Sequence, residues 1–351
     1  MKFKEAVTYD DMLMVPQYSD IKSRGEVEIT TWLGNREFSL PIIASPMDTV
    51  SGTDMATTMN KAGGLAVLHR YNSIATQQQM ASDVINNADW SGQVAAAIGV
   101  TGDYLERAES LLAAGADILC IDVAHGHHLL MKKSLQTLRE EYGKDIHIMA
   151  GNVCTLEGVN DLADWGADSI RCNIGGGSIC STRVVTGHGL PGLQTIFDCA
   201  RTDRDVAIIA DGGIKTSGDI VKALAAGADF VLCGSLLAGT KESPGRIITH
   251  PGGAYAGYPQ KEYRGMASRD AQLDWRNKSS APEGVASYIP YKGEVATILK
   301  DLEGGIKSGL SYSGARSLTE LRNKVEWERQ TSAGTHESGT HILNTHNARR
   351  K

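Results

Sequence analysis

The chain lacks a paired-cysteine signature. Its six cysteines, Cys120, Cys154, Cys172, Cys180, Cys199 and Cys233, include no CxxC pair, and most lie inside apolar runs. That spacing suggests neither a disulfide framework nor a thiolate zinc site, and predicts a reduced, intracellular protein. No run of 18 apolar residues is present, and the opening Met1-Lys2-Phe3-Lys4-Glu5-Ala6 has no apolar core, so neither a membrane span nor a signal peptide is expected and the cytoplasm is the expected compartment. An excess of positive charge is missing too. With 35 Lys and Arg against 41 Asp and Glu, a net charge of −6 argues against broad binding to nucleic acid or anionic membrane. Any phosphate site must then be local, built from backbone and a few side chains. What remains is small-molecule chemistry by 351 residues, 41% of them apolar, enough for one large α/β domain or two ordinary ones.

One stretch carries the most information. Gly175-Gly176-Gly177-Ser178-Ile179-Cys180-Ser181-Thr182-Arg183 follows the apolar run Asp168-Ser169-Ile170-Arg171-Cys172-Asn173-Ile174. A glycine-rich segment leaving a strand exposes N–H groups that wrap an anion, and a cysteine on the same loop can attack an electrophilic carbon. Each half alone is ordinary, since consecutive glycines make a flexible turn and a lone cysteine is usually a small buried hydrophobe. Together they point to phosphate holding and covalent chemistry on one loop.

Short β-rich apolar runs recur at Pro41–Ala44, Leu65–Leu68, Val94–Gly99, Asp117–Val123, Ile146–Ala150, Asp168–Ile174, Val206–Ala210 and Asp229–Gly234. Between most of them lie helical periods, as in Asp103–Ala113, Leu156–Asp164 and Ser217–Ala225. The junctions repeat: Ala114-Gly115-Ala116-Asp117, Trp165-Gly166-Ala167-Asp168 and Ala226-Gly227-Ala228-Asp229 each end a helix with glycine before a strand, and Lys61-Ala62-Gly63-Gly64 is a looser copy. Eight strands alternating with helices predict a (β/α)8 TIM barrel, an α/β fold whose working residues sit at the C-terminal strand ends. A doubly wound open sheet is the alternative, but its GxGxxG is absent from the first strand-to-helix turn.

The residues just past the strands are then the candidates: Ser45, Met47 and Asp48; His69 and Arg70; Asp122, His125 and His127; Asn152; the glycine-rich loop; Asp211, Gly212 and Gly213; Gly234 and Ser235. Carboxylates, amides and N–H groups converging on one mouth suit a sugar phosphate or nucleotide. Residues 240–304 are rich in Gly, Pro, Ser and charge without a sustained period and read as a flap; the polar, His-rich tail 332–351 reads as frayed. The chain is taken as a single domain over residues 1–351.

These residues resemble the IMP dehydrogenase and GMP reductase family from Tyr9-Asp10-Asp11 to Ser338. The likeness rests on Ser45-Pro46-Met47-Asp48-Thr49-Val50, Ile121-Asp122-Val123-Ala124-His125-Gly126-His127, Ala150-Gly151-Asn152-Val153, the 175–183 loop, Asp211-Gly212-Gly213-Ile214, Gly234-Ser235-Leu236-Leu237-Ala238-Gly239-Thr240 and Tyr263-Arg264-Gly265-Met266. The resemblance implies a homotetrameric barrel in which Cys180 attacks C2 of a purine nucleotide, GMP or IMP, with Thr182 beside it, while hydride passes between purine and NADP or NAD. It implies phosphate holding by Gly177, Ser178, Gly213, Gly234, Ser235 and Tyr263, ribose holding by Asp211, and Gly265 and Met266 facing the base, with Ser45 and Met47 at the substrate mouth. Asp122 and Asn152 would meet the nicotinamide riboside, with His125 near the cofactor. A potassium ion would be held by the carbonyls of Gly175, Gly177 and Cys180, with Glu337 and Ser338 completing the site from a neighbouring subunit. The family has glycine where this chain has Asn173, which would crowd the nicotinamide or replace a water there, and often proline where it has Gly176. The tandem regulatory insert expected between Ser73-Ile74 and Ala97-Ile98 is absent, which favours the reductase modestly.

The two activities of the family differ in mechanism. A dehydrogenase hydrolyses the covalent purine with an Arg-Tyr pair on a long flap, whereas this chain has Trp275-Arg276-Asn277-Lys278 there. A reductase needs no such water, and the resemblance implies proton handling by Thr182 and Glu283. On that ground GMP reductase (GMP and NADPH to IMP, ammonia and NADP) is favoured. The alternative is IMP dehydrogenase (IMP, NAD and water to XMP and NADH), which Leu237–Thr240, Tyr263–Met266 and the tail resemble more closely; a purine-nucleotide-binding barrel without turnover is a further one. Blander readings stand beside the site residues. His125-Gly126-His127-His128 suits structure or cofactor proximity better than a metal, Asp48 suits a helix cap, Glu283 a solvated loop, and Cys120, Cys172 and Cys233 core packing.

Overall fold

A computed structural model describes residues 4–87, 92–249, 251 and 255–339; the rest of the tail expected to be frayed, 340–351, lies outside them. Eight parallel strands close into a barrel in chain order: β1 (Ile42–Ala44), β2 (Leu65–Leu68), β3 (Ala95–Ile98), β4 (Ile118–Asp122), β5 (His147–Val153), β6 (Ser169–Cys172), β7 (Ala207–Asp211) and β8 (Phe230–Cys233). Pairing of Val231 with Ile42 joins β8 to β1 and removes both sheet edges. All eight fall on the apolar runs of the sequence.

Period-two alternation decides what fills the barrel. Ile43, Leu65, Val67, Ala95, Ala97, Ile118, Met149, Ile209, Phe230 and Leu232 form one buried cluster with Leu33 and Phe38. Their strand neighbours, among them Ile42, Ala66, Leu119, Ile170 and Val231, belong to the second cluster, shared with the helices. Leu33 and Phe38 come from the hairpin Thr31–Leu33/Arg36–Phe38, and Phe38 meets Phe230 edge-on at 5.4 Å.

The repeated junctions have two jobs. Gly115, Gly166 and Gly227 take φ of 92°, 116° and 113°, which favour glycine. The Asp that follows each repeat accepts a backbone N–H of the preceding strand: Asp117 from Val94 (3.0 Å), Asp168 from Ile148 (2.7 Å) and Asp229 from Ile208 (2.8 Å). A buried donor at each strand entry is thereby satisfied.

Helices α1 (Thr53–Lys61), α2 (Ile74–Asn87), α3 (Tyr104–Ala113), α4 (Leu129–Tyr142), α5 (Leu156–Asp164), α6 (Thr182–Thr186), α7 (Gly192–Cys199) and α8 (Ser217–Ala225) lie between the strands. Beyond β8 the described part of the stretch without a period carries regular elements. Strands β9 (Pro259–Arg264) and β10 (Ala286–Pro290) pair antiparallel around α9 (Arg269–Arg276), and α10 (Val295–Tyr312) runs past residue 304. Val295, Leu299, Leu302, Ile306 and Leu310 are its buried face. A Cβ on Gly305 would lie 2.3 Å from Ser217 Oγ, and one on Gly309 2.7 Å from Val221, so its glycines admit close packing on α8. The described start of the tail, residues 332–339, is also structured: Ser332–Glu337 is helical, capped by Thr331, and Thr335 Oγ1 donates to Asp10 O (3.1 Å). Among the described residues no helix is long and apolar enough to cross a membrane.

Candidate active site

The C-terminal strand ends open into a cavity of about 490 Å³, within the roughly 300–1,000 Å³ usual for small-molecule sites. One wall is the cysteine loop. Cys180 is exposed, and its thiol donates to Thr182 Oγ1 at 3.1 Å. The flap closes over this loop by backbone pairing: Ser181 N–H donates to Glu283 O (2.9 Å), Val285 N–H to Ile179 O (3.0 Å) and Glu283 N–H to Ala267 O (3.0 Å). That ladder brings half-buried Glu283 to the cavity wall with Cys180 and Thr182.

The floor is a layer of charge. Asp122, Arg171 and Asp211 occupy inward positions of β4, β6 and β7, one step above Cys120 and Ile209. Arg171, 6% exposed, binds Asp122 Oδ1 through Nη1 (2.7 Å) and Asp211 Oδ2 through Nε (2.9 Å). Burial by itself would lower its pKa, but the charges of Asp211 and Asp122 outweigh that and hold it above the ordinary arginine value. Asn152 Nδ2 donates to Asp211 Oδ2 (2.7 Å) and to Asn173 O (2.9 Å). Asn152 lies within β5 rather than past it, because a register shift between Gly151 and Val153 turns it inward. Arg171 was missed as a site residue, although a lone cation on an inward position was the available signal.

At the other end the backbone dominates. Gly212 and Gly213 have φ of 77° and 76°, and a Cβ on Gly213 would lie 3.2 Å from Gly176 O. A Cβ on Gly234 would lie 2.8 Å from Tyr263 Oη and 3.2 Å from Ser45 Oγ. The N–H groups of Ser178, Gly213 and Ser235 have no hydrogen-bond partner among the described residues, which is the make-up of an anion nest. Ser45 Oγ is buried without a partner. Burial pushes the Tyr263 phenol up to about 12, against a hydrogen bond with Ser178 that lowers it, so it stays a neutral donor. Met47, Gly265 and Met266 line the space between.

Other expected residues fall elsewhere. His125 is exposed and outside the cavity lining; His127 pairs with Asp161 (2.7 Å), and His128 caps α4 by accepting Leu130 N–H. No cluster of His, Cys, Asp or Glu suited to a metal occurs among the described residues. Asp48 caps nothing; Arg264 Nε donates to it at 3.0 Å. Asn173 does not push into the open cavity: it keeps a glycine-like φ of 149°, is 4% exposed, and turns its carboxamide under the loop, where Nδ2 donates to Gly212 O (3.4 Å) and Oδ1 accepts from Arg183 (3.3 Å). Glu337 and Ser338 are exposed on the tail, with no hydrogen bond to the cysteine loop among the described residues; Ser338 Oγ donates to Gln330 (2.9 Å). Within one chain they are thus not brought to the carbonyls of Gly175, Gly177 and Cys180, of which Gly177 O accepts Cys180 N–H (3.1 Å). The wall of Asp122, Val123, Ala124 and Asn152 beside Cys180 has the acceptors and amide that fit a nicotinamide riboside.

The family model described as the IMP dehydrogenase / GMP reductase domain matches residues 6–341. The chain belongs to this family. It is a member with a bare catalytic domain and no regulatory insert, and the family's enzymes are oxidoreductases that use NAD(P). The chain is 32% identical to an inosine-5'-monophosphate dehydrogenase of Nitrosopumilus maritimus, over 97% of this chain and 99% of that one. That alignment runs over 477 positions, so the relative carries substantial inserted sequence. It is 31% identical to a GMP reductase of Leishmania major, over 97% of each. A crystal structure of a Trypanosoma brucei GMP reductase variant in complex with guanosine 5'-monophosphate superposes with a TM-score of 0.90 at 32% identity, covering 97% of this chain and 98% of that one.

Proposed function

We propose that this member of the family is a GMP reductase, converting GMP and NADPH to IMP, ammonia and NADP through a covalent bond from Cys180 to purine C2. The observation that carries the reading is Trp275-Arg276-Asn277-Lys278 in place of the hydrolytic Arg-Tyr pair; the backbone ladder between residues 179–181 and 283–285 supports it by setting Glu283 on the same cavity wall as Cys180 and Thr182. At the flap position where a dehydrogenase needs its Arg-Tyr pair, Trp275 packs edge-on against Tyr71 (5.7 Å) and lines a separate cavity. The likeness to the Trypanosoma brucei reductase with bound GMP supports the same choice.

On this reading the N–H groups of Ser178, Gly213 and Ser235 and the Tyr263 phenol hold the phosphate, and Asp211, fixed by Arg171, holds the ribose diol. The Cys180 thiol proton is relayed through the Thr182 hydroxyl to the Glu283 carboxylate as the C2–S bond forms, and Glu283 returns it through Thr182 to the C2 amine, which leaves as ammonia. A reduced nicotinamide held at Asp122 and Asn152 would be the source of the hydride that C2 receives. Cleavage of the C2–S bond then releases IMP and the thiolate. Asp122 and Asn152 are positioned for the nicotinamide riboside, and a homotetramer would complete the potassium site of Gly175, Gly177 and Cys180 with Glu337 and Ser338 of a neighbouring subunit.

Absorbance at the reduced-nicotinamide band tests the direction. We expect it to fall with GMP and NADPH, and Cys180→Ala to keep GMP binding while losing turnover by about 10³-fold or more. A rise with IMP and NAD, the reading favoured by the Nitrosopumilus maritimus relative, would make the enzyme a dehydrogenase. Nucleotide binding with neither change would leave a non-catalytic barrel.

A further inference from the structure

We infer that Asn173 is a positioning residue for the nucleophile loop, and that its side chain is the reason position 176 is glycine. The two departures from the family pattern are then one coupled change.

Gly176 is not among the glycines with positive φ, unlike Gly175 at 77°. Backbone conformation therefore gives no reason for glycine there. Space does. A Cβ on residue 176 would stand 2.0 Å from Asn173 Nδ2, 2.7 Å from Cγ and 2.9 Å from Oδ1. The carboxamide can clear that space only by giving up its partners: it is 4% exposed, a Cβ on Gly192 would lie 3.3 Å from its Nδ2, and turning it out into the cavity it lines would break its bonds to Gly212 O and Arg183. A ring or a methyl at 176 and the carboxamide at 173 in this position exclude one another.

The carboxamide also ties three parts of the site together. Its oxygen accepts from Arg183, the residue after Thr182, whose Nε also donates to Ile174 O (3.2 Å). Its nitrogen reaches the carbonyl of Gly212, which follows the ribose-binding candidate Asp211. Three successive glycines leave this loop loose, and proline at 176 would stiffen it by removing backbone freedom. Here hydrogen bonds from Asn173 hold the loop from beneath, and Cys180 and Asp211 keep their separation through it.

The test is a double-mutant cycle on the full chain with Asn173→Gly, Gly176→Pro and the pair, plus Gly176→Ala as a milder probe. Three readouts are taken: the alkylation rate of Cys180 by iodoacetamide, followed by peptide mass, the thermal midpoint, and kcat and KM with GMP. Gly176→Pro and Gly176→Ala in the Asn173 background should change Cys180 alkylation and lower kcat by about tenfold, with KM moving less; Gly176→Pro on Asn173→Gly should return both to within about threefold of wild type. Failure of Gly176→Pro to fold, with folding restored in the pair, supports the same coupling. Equal damage from Gly176→Pro or Gly176→Ala in both backgrounds, or none with Asn173 present, overturns it. The kcat arm rests on the role proposed for Cys180, whereas alkylation and thermal midpoint read the coupling in a protein that turns over neither nucleotide.

Discussion

Arg171 carries two negative charges on one guanidinium at the base of the cavity. Remove it and Asp211 loses its cation, while Asp122 keeps only Arg70, 4.0 Å away; each carboxylate side chain is less than one-sixth exposed. Arg171→Leu should lower the unfolding free energy by about 3–5 kcal/mol, read from urea midpoints, because breaking a buried ion pair leaves uncompensated charge. Arg171→Lys, which cannot fork to both carboxylates, should fall between. At this scale the sequence was legible where chemistry is concentrated: the 175–183 loop, Asp211-Gly212-Gly213 and Gly234-Ser235 all reach the cavity. It was less legible where one side chain answers another. Arg171 lay hidden in an apolar run because its partners are 49 and 40 residues away, and the direction of Asn173 depends on a backbone angle that no residue pattern reports.

The flap is an element held at two ends. Near its start Arg264 reaches Asp48 at the barrel mouth and, through Nη1, Asp274 of α9 (2.6 Å); near its end residues 283–285 pair with the cysteine loop. Hydrogen bonding to Asp48, working against burial, raises the pKa of Arg264 above the arginine norm, so this anchor does not titrate away. Arg264→Leu should raise trypsin cleavage after Lys278 by about tenfold, measured as the half-life of the intact chain, since an unlatched flap samples open states more often. Substrate should slow cleavage in wild type more than in the variant. Strands and the junctions that repeat Gly-Ala-Asp could be read from the sequence because short apolar runs and positive-φ glycines are local. Helix α10 could not, because Gly304 and Gly305 interrupt its pattern and the packing of Gly305 and Gly309 on Ser217 and Val221 of α8 is a long-range contact.

Across the whole molecule the two barrel ends differ in chemistry. The mouth gathers charge and unpaired N–H groups; the entry ends of β5 and β6 hold His147, 3% exposed, with Nε2 2.9 Å from Ser169 Oγ. Burial pushes the His147 imidazole down to about 4, with Asp168 opposing. Its folded pKa lies below the unfolded value of about 6.5. Its contribution to stability is therefore present above pH 6.5 and is lost as pH falls through 4. Unfolding free energies between pH 7 and 4 should decline with a slope reaching about 1.4 kcal/mol per pH unit from this group, and His147→Gln should remove that part of the slope.

The ladder between residues 179–181 and 283–285 has a kinetic corollary. On the proposed reading, the flap segment that would cover the nucleotide also pairs with the loop that carries Cys180, so letting product out and releasing that loop would be a single event. The thiol would then be held in its working position only while the mouth is covered, which ties its readiness to occupancy of the cavity.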